Sequence, residues 1–304
     1  MSLHLDTPLL RSTSLSQLTG ADIWLKMDAL QPSGSFKLRG MGLAAQRAKA
    51  SGARRLVSSS GGNAGLAVAW AGRALELPVT IVVPSRTPEA MRRAIAAEGA
   101  TVLVHGEVWD DAHEHAQTLE GALIHPFDHP DVWAGHASLI HEVAAAGLRP
   151  DVLVVSVGGG GLLVGLMQGV YELGWTDTRV LAVETEGADS FARAVEAGHP
   201  VTRPSIDSVA LTLGAKRVAD EAFAWSQRHP ILPVRVTDRA AVDACRSFLD
   251  DHRVLVEPAC GASLSLVYGR DPRLQGRVLV VVCGGASASL EQLTDWREAT
   301  SGSR

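Results

Sequence analysis

The sequence predicts an α/β fold of two lobes, each a parallel-type sheet with helices on both faces. Three observations carry this. Short β-branched runs alternate with Ala- and Leu-rich amphipathic stretches along the chain. Several strands run straight into Gly/Ser turns that open a helix. The alternation also falls into two sets, separated near PFDHPD (Pro126 to Asp131), where two prolines interrupt the pattern.

The first set opens with Arg55-Leu56-Val57, a strand that leads through Ser58 to Asn63 into a helix over Ala64 to Leu75. PVTIVVP (Pro78 to Pro84) reads as a buried strand, Pro88 to Glu98 as a helix, Thr101 to His105 as a strand and Trp109 to Leu119 as a helix. The second set restarts with the strand Val152 to Val157, four glycines and a helix over Leu162 to Tyr171. Val180 to Glu184, Val234 to Thr237 and Arg277 to Cys283 are its later strands.

Composition limits the function classes. The 304 residues suffice for one large domain or two modest ones, and 46% apolar with 20% charged residues excludes disordered, collagen-like and coiled-coil chains. A net charge of −5 offers no basic footprint for nucleic acid or an anionic membrane. Cys245, Cys260 and Cys283 are scattered, so a reducing, cytoplasmic compartment is expected. MSLHLDTPLL lacks the pattern of a signal peptide, and no apolar run reaches the ~18 residues of a membrane span. Only four side chains can act as an amine nucleophile: Lys26, Lys37, Lys49 and Lys216.

Four segments have the form of ligand sites. In VLVVSVGGGGLLVGL a strand meets Gly158, Gly159, Gly160 and Gly161, which open a helix at Leu162. Close backbone approach and unpaired N–H groups at a helix start make an anion site. The dinucleotide fingerprint fails, because its last glycine falls on Leu163 or Val164, and no P-loop Lys-Ser/Thr follows. A compact phosphate monoester fits better, although Glu184 sits where a ribose-binding acid would, so this region alone does not exclude a nicotinamide enzyme. In QPSGSFKLRG, Lys37 stands at a helix start, where the dipole disfavours a cation and favours a nucleophilic amine. On that segment alone an ordinary surface lysine is the commoner reading. In SSSGGNAG, the backbone with Ser60 and Asn63 forms either a carboxylate site or a plain βα turn. Cys283 ends a strand before Gly284-Gly285, where ligands bind, although a buried small side chain is the commoner fate of cysteine. Histidines concentrate between His105 and His141, but no HExxH or CxxC occurs, so a zinc-type site is not expected.

Taken together and in order, SGSFKLRG, SSSGGNAG, SVGGGGLL, EPACGA and VVCGG resemble the fold-type II pyridoxal-phosphate enzymes, whose architecture is that of the tryptophan synthase β chain. With PFDHP and WAGHASL, the chain is most similar to the liver-type L-serine dehydratase/L-threonine deaminase group, from about Thr7 to Leu293. The resemblance implies a large cofactor-binding domain (1–35 plus 129–304) and a small domain (36–128) carrying the substrate carboxylate loop. It implies pyridoxal 5'-phosphate held as an imine on Lys37, with Phe36 packing on its ring and Asn63 bonding its phenolic oxygen. Gly158 to Gly161 with Leu162 would hold the phosphate, and Cys283 would be the neutral partner of the pyridine nitrogen. Ser60, Gly61, Gly62, Asn63 and Ala64 would bind the substrate carboxylate. Glu184, with the carbonyls of Gly158, Ala188, Leu213 and Ala215, maps onto a site for a monovalent cation such as potassium.

The implied reaction is β-elimination, with Lys37 removing the Cα proton. It takes L-serine to pyruvate plus ammonia and L-threonine to 2-oxobutanoate plus ammonia, in a cytoplasmic homodimer. A racemase or another β-eliminating enzyme on the same scaffold, and a non-catalytic cofactor- or amino-acid-binding protein, are the alternatives. One departure stands out: Gly61 replaces an alanine common in this group. It is expected to leave a methyl-sized space, so that Gly61→Ala would raise kcat for serine.

Overall fold

The computed structural model describes residues 2–300. The chain divides into two compact units, residues 2–5 with Gln31–His136, and Asp6–Leu30 with residues 137–300. The boundaries lie at 30/31 and 136/137 rather than 35/36 and 128/129. Local contacts explain the shift at the N-terminal side. Gln31 exchanges two hydrogen bonds with Leu5, Leu5 N to Oε1 and Nε2 to Leu5 O, both at 2.9 Å. On the other side, Gly135 packs so closely on the helix Lys37–Ala50 that an added Cβ would lie 2.6 Å from Gly40 Cα.

Among the described residues ten strands occur in chain order: β1 (Leu9–Arg11), β2 (Asp22–Lys26), β3 (Leu56–Ser58), β4 (Val79–Val83), β5 (Thr101–Val104), β6 (Ala122–Leu123), β7 (Val152–Ser156), β8 (Arg179–Thr185), β9 (Ile231–Val236) and β10 (Arg277–Val281). The first unit holds a four-stranded parallel sheet in the order β5-β4-β3-β6. All five residues of β4 are buried, which is why PVTIVVP is apolar between its prolines except at Thr80. Its core joins Leu38, Met41, Leu56, Ala67, Ile81 and Ile95 from two strands and three helices.

The second unit holds a six-stranded sheet in the order β1-β2-β10-β7-β8-β9. β1 is antiparallel to β2, and every other pairing is parallel. β7 is buried along its length, and β10 is buried apart from Arg277. β9 begins earlier than expected and contains Pro233, which an edge strand tolerates because one side needs no ladder N–H. Among the described residues no helix is long and apolar enough to cross a membrane.

Candidate active site

In the first unit, Lys37 is the first residue of the helix Lys37–Ala50 and follows a tight turn with Gly34 at φ 75°. The amine is half-buried. Lys37 Nζ donates to the Pro126 carbonyl at 2.6 Å and lies 5.2 Å from the centre of the Phe36 ring. Of the other lysines, Lys26 is buried in an ion pair with Glu142 at 2.6 Å, and Lys49 donates to Leu75 O on the surface.

Unusual polar burial surrounds this lysine. Phe36 packs on His136 with centroids 5.0 Å apart. His136 is fully buried, and neither ring nitrogen has a hydrogen-bond partner among the described residues; the same holds for the hydroxyls of Ser33 and Ser35. Burial, then the charges of Lys37 and Arg39, push the His136 imidazole well below its ordinary value. His125 is pushed down to about 3 by burial, then by His113, Lys37 and His129. Both rings are therefore neutral near pH 7.

The loop Ser60 to Ala64 leaves the carboxyl end of β3 and opens the helix Asn63–Ala74, which starts one residue earlier than expected. Ser58 Oγ donates to Ile124 O at 2.8 Å, and Ser59 Oγ meets His113 Nδ1 at 2.8 Å. The Ser60 hydroxyl accepts the Gly62 N–H at 3.3 Å, so it shapes its own loop. Asn63 and Ala64 are buried. The expected methyl-sized space at Gly61 is not there. A Cβ on Gly61 would lie 2.6 Å from Thr87 Cγ2 and 3.0 Å from Thr87 Cβ. The buried Thr87 side chain fills that volume, which removes the ground for expecting Gly61→Ala to speed the reaction.

In the second unit, β7 runs into Gly158–Gly161, and the helix Gly161–Glu172 follows. Gly160 is left-handed at φ 92°, and a Cβ there would lie 2.5 Å from Ala222 Cβ. A Cβ on Gly158 would come within 3.0 Å of Leu213 Cα. Among the described residues no backbone carbonyl accepts from the N–H groups of Gly158, Gly159, Gly160, Gly161 or Leu162. This is a run of free donors at a helix start.

Cys283 follows β10, which neighbours β7, so it leaves the same edge of the sheet as the glycine loop. It is buried and forms no disulfide among the described residues. A hydrogen bond with Cys260, then burial, hold its thiol well above the ordinary value, so it is uncharged. Glu184 is buried, and its two oxygens accept the N–H groups of Phe191 and Ala192, each at 2.8 Å. Burial nevertheless pushes it up to about 8. Of the other proposed cation ligands, Leu213 lies against Gly158 and its carbonyl accepts from Ala215 N at 2.8 Å, while Ala188 N donates to Thr185 O.

Sequence reasoning missed His125, Pro126, His136, Thr87 and Cys260. Only the density of histidines between His105 and His141 signalled the first and third. Pro126 and Cys260 lie inside PFDHP and EPACGA, motifs that carried only the resemblance, while Thr87 had no local signal, because its partner Gly61 is distant in the chain.

The family profile described as "Pyridoxal-phosphate dependent enzyme" matches residues 1–284. The chain is 46% identical over 308 residues to the mouse L-serine dehydratase/L-threonine deaminase, covering 96% of this chain and 94% of that protein. It is also 46% identical over 307 residues to the mouse serine dehydratase-like protein, covering 96% and 93%. Among solved structures, the L-serine ammonia-lyase of the fungus Rhizomucor miehei superimposes with a TM-score of 0.92 at 36% identity, covering 98% of this chain and 99% of that one.

Proposed function

This chain belongs to the family of pyridoxal-phosphate dependent enzymes, and from that premise we propose that it is a lyase acting on hydroxy-amino acids. The proposed reactions convert L-serine to pyruvate and ammonia, and L-threonine to 2-oxobutanoate and ammonia. The names of relatives 46% identical over 96% of the chain support this choice of substrate. The observation that carries the chemistry is Lys37: a half-buried amine at a helix start, next to an aromatic ring and donating to the Pro126 carbonyl.

The residues present suit the cofactor. Unpaired N–H groups at Gly158 to Leu162 match a phosphate, and Gly158 and Gly160 have no room for a Cβ. Cys283, kept as a thiol by Cys260 and burial, suits a pyridine nitrogen that needs no counter-charge. When bound, pyridoxal 5'-phosphate supplies the electron sink that makes the Cα–H bond acidic and lets the β-hydroxyl leave.

Each residue's part follows from its own chemistry. Lys37 would attach the cofactor and, once free, take the Cα proton on Nζ. Phe36 would pack on the cofactor ring, and the Asn63 carboxamide would bond its phenolic oxygen. Ser60, Gly61, Gly62, Asn63 and Ala64 would hold the substrate carboxylate, chiefly through N–H groups at the start of the helix Asn63–Ala74. The Cys283 thiol brings no negative charge, which favours elimination over transamination. In the net reaction the water lost with the β-hydroxyl is regained when the amino group leaves as ammonia. Glu184, with the carbonyls of Gly158, Ala188, Leu213 and Ala215, is proposed to take a monovalent cation. A cytoplasmic homodimer is part of the same reading.

A product assay on the purified holoenzyme tests it. Equal amounts of oxo acid and ammonium from L-serine and L-threonine are expected. D-serine as the main product would make it a racemase, and saturable binding of L-serine without turnover would make it a binding protein.

A further inference from the structure

We propose that His125 is a positioning residue for Lys37: its Nδ1 fixes the turn that presents the Pro126 carbonyl to the Lys37 amine. The inference rests on the reading of Lys37 as cofactor lysine and base, and adds a residue that this reading does not use.

Lys37 Nζ donates to Pro126 O at 2.6 Å. Pro126 has no N–H of its own, so the orientation of its carbonyl depends on the peptides that follow. Two side chains hold those peptides, and one of them, Trp133, donates its Nε1–H to Phe127 O at 2.8 Å. His125 Nδ1 accepts the Asp128 N–H at 2.8 Å and the Phe127 N–H at 3.3 Å. Asn and Asp do the same in side-chain-capped turns, where a side-chain acceptor replaces a backbone one. A ring nitrogen that accepts two N–H groups carries no proton, so His125 must hold its proton on Nε2 and remain neutral. Its surroundings support that form, since burial disfavours the charge most.

Packing holds the ring in place. It meets Phe127 edge-on with centroids 4.8 Å apart, His113 at 5.1 Å and Trp109 at 6.0 Å. His113 in turn meets Ser59 Oγ at 2.8 Å, one residue before the carboxylate loop. When Lys37 has taken the Cα proton it is an ammonium, and a fixed carbonyl acceptor stabilises it and keeps it in one place. Other groups bind the substrate, so a loosened turn should lower kcat and spare KM.

Three variants test this. His125→Phe keeps the aromatic packing and removes the acceptor, His125→Leu removes both, and His125→Asn supplies a new side-chain oxygen to the same N–H groups. Misplacing a reacting group by about 1 Å can cost ~100-fold, so kcat for L-serine is expected to fall ~10- to 100-fold in the Phe and Leu variants. KM should stay near the wild-type value, and His125→Asn should recover most of kcat. In the apoenzyme, hydrogen exchange at the Phe127 and Asp128 amides should speed up by about tenfold or more in the Phe and Leu variants and return toward wild type in His125→Asn. Wild-type kcat with unchanged exchange in either folded removal variant overturns the proposal. So does an Asn variant as slow as the Phe variant, or a loss shared equally between kcat and KM. A wild-type enzyme that eliminates neither amino acid would instead overturn the functional reading, and the exchange measurement would still decide the turn.

Discussion

The two units carry their candidate functional groups by opposite means. In residues 31–136 the candidate groups depend on side chains and carbonyls remote in the chain: Lys37 on Pro126, Ser59 on His113, and the backbone at Gly61 against Thr87. Beside them His136, Ser33 and Ser35 are buried with no hydrogen-bond partner among the described residues. In residues 137–300 the groups are backbone N–H donors and an uncharged thiol, set at the ends of two adjacent parallel strands. On the proposed reading the first arrangement moves protons and the second holds an anion.

The largest effect that separates the two belongs to Lys37→Ala. Loss of both attachment and base should slow serine elimination by ~10⁴-fold or more, with the circular dichroism of the fold unchanged. A variant that keeps a substantial rate without added amine would remove the proton-moving role from the first unit. Next comes Gly159→Asp, which sets a carboxylate among the free donors. Cofactor affinity, measured by titration, should weaken roughly 100-fold, or ~2.7 kcal/mol. Unchanged affinity would mean that the glycine loop does not bind the phosphate.

Gly61→Ala sharpens the comparison at smaller scale. Its methyl must displace Thr87, so chemical denaturation should show a loss of ~1–3 kcal/mol, and serine turnover should slow. Adding Thr87→Ala should restore much of both. Strictly additive effects in the double mutant would show that the two side chains do not compete for one space.

The smallest effects are in pH dependence, and the two units should differ in sign. His125 and His136 have lowered values in the folded chain. The unfolded chain binds more protons below about pH 6.5, so their contribution is present above that pH and is lost as pH falls toward the folded values. Glu184 is raised to about 8. Its contribution is present below the unfolded value and is lost as pH rises through about 8. Urea midpoints of the apoenzyme at several pH values should therefore show His136→Leu flattening the acid limb and Glu184→Gln flattening the alkaline one. The reverse pattern would contradict the burial argument for both groups.

The same contrast explains what was legible in the sequence. A backbone site is written in glycine, so Gly158 to Gly161 after VLVVSV pointed to an anion site before any fold was known. The β4 strand was legible from its composition, a run between prolines that is apolar except at Thr80. β1, β2 and β6 were not. β6 has two residues, β1 has three, and DIWLK in β2 alternates too little to stand out. Lys37 was legible as a candidate amine, but the carbonyl that holds it lies 89 residues away. Thr87 was invisible from Gly61 for the same reason, and only the fold revealed that the space beside the glycine is occupied.

One measurement tests the central claim most directly. The holoenzyme is reduced with borohydride, which fixes the cofactor to the amine that carries it, and its peptides are mapped by mass. The account predicts the added pyridoxyl mass on Lys37, with Lys26, Lys49 and Lys216 unlabelled. Label on any of those three, or no label in an enzyme that still releases pyruvate from L-serine, would contradict it.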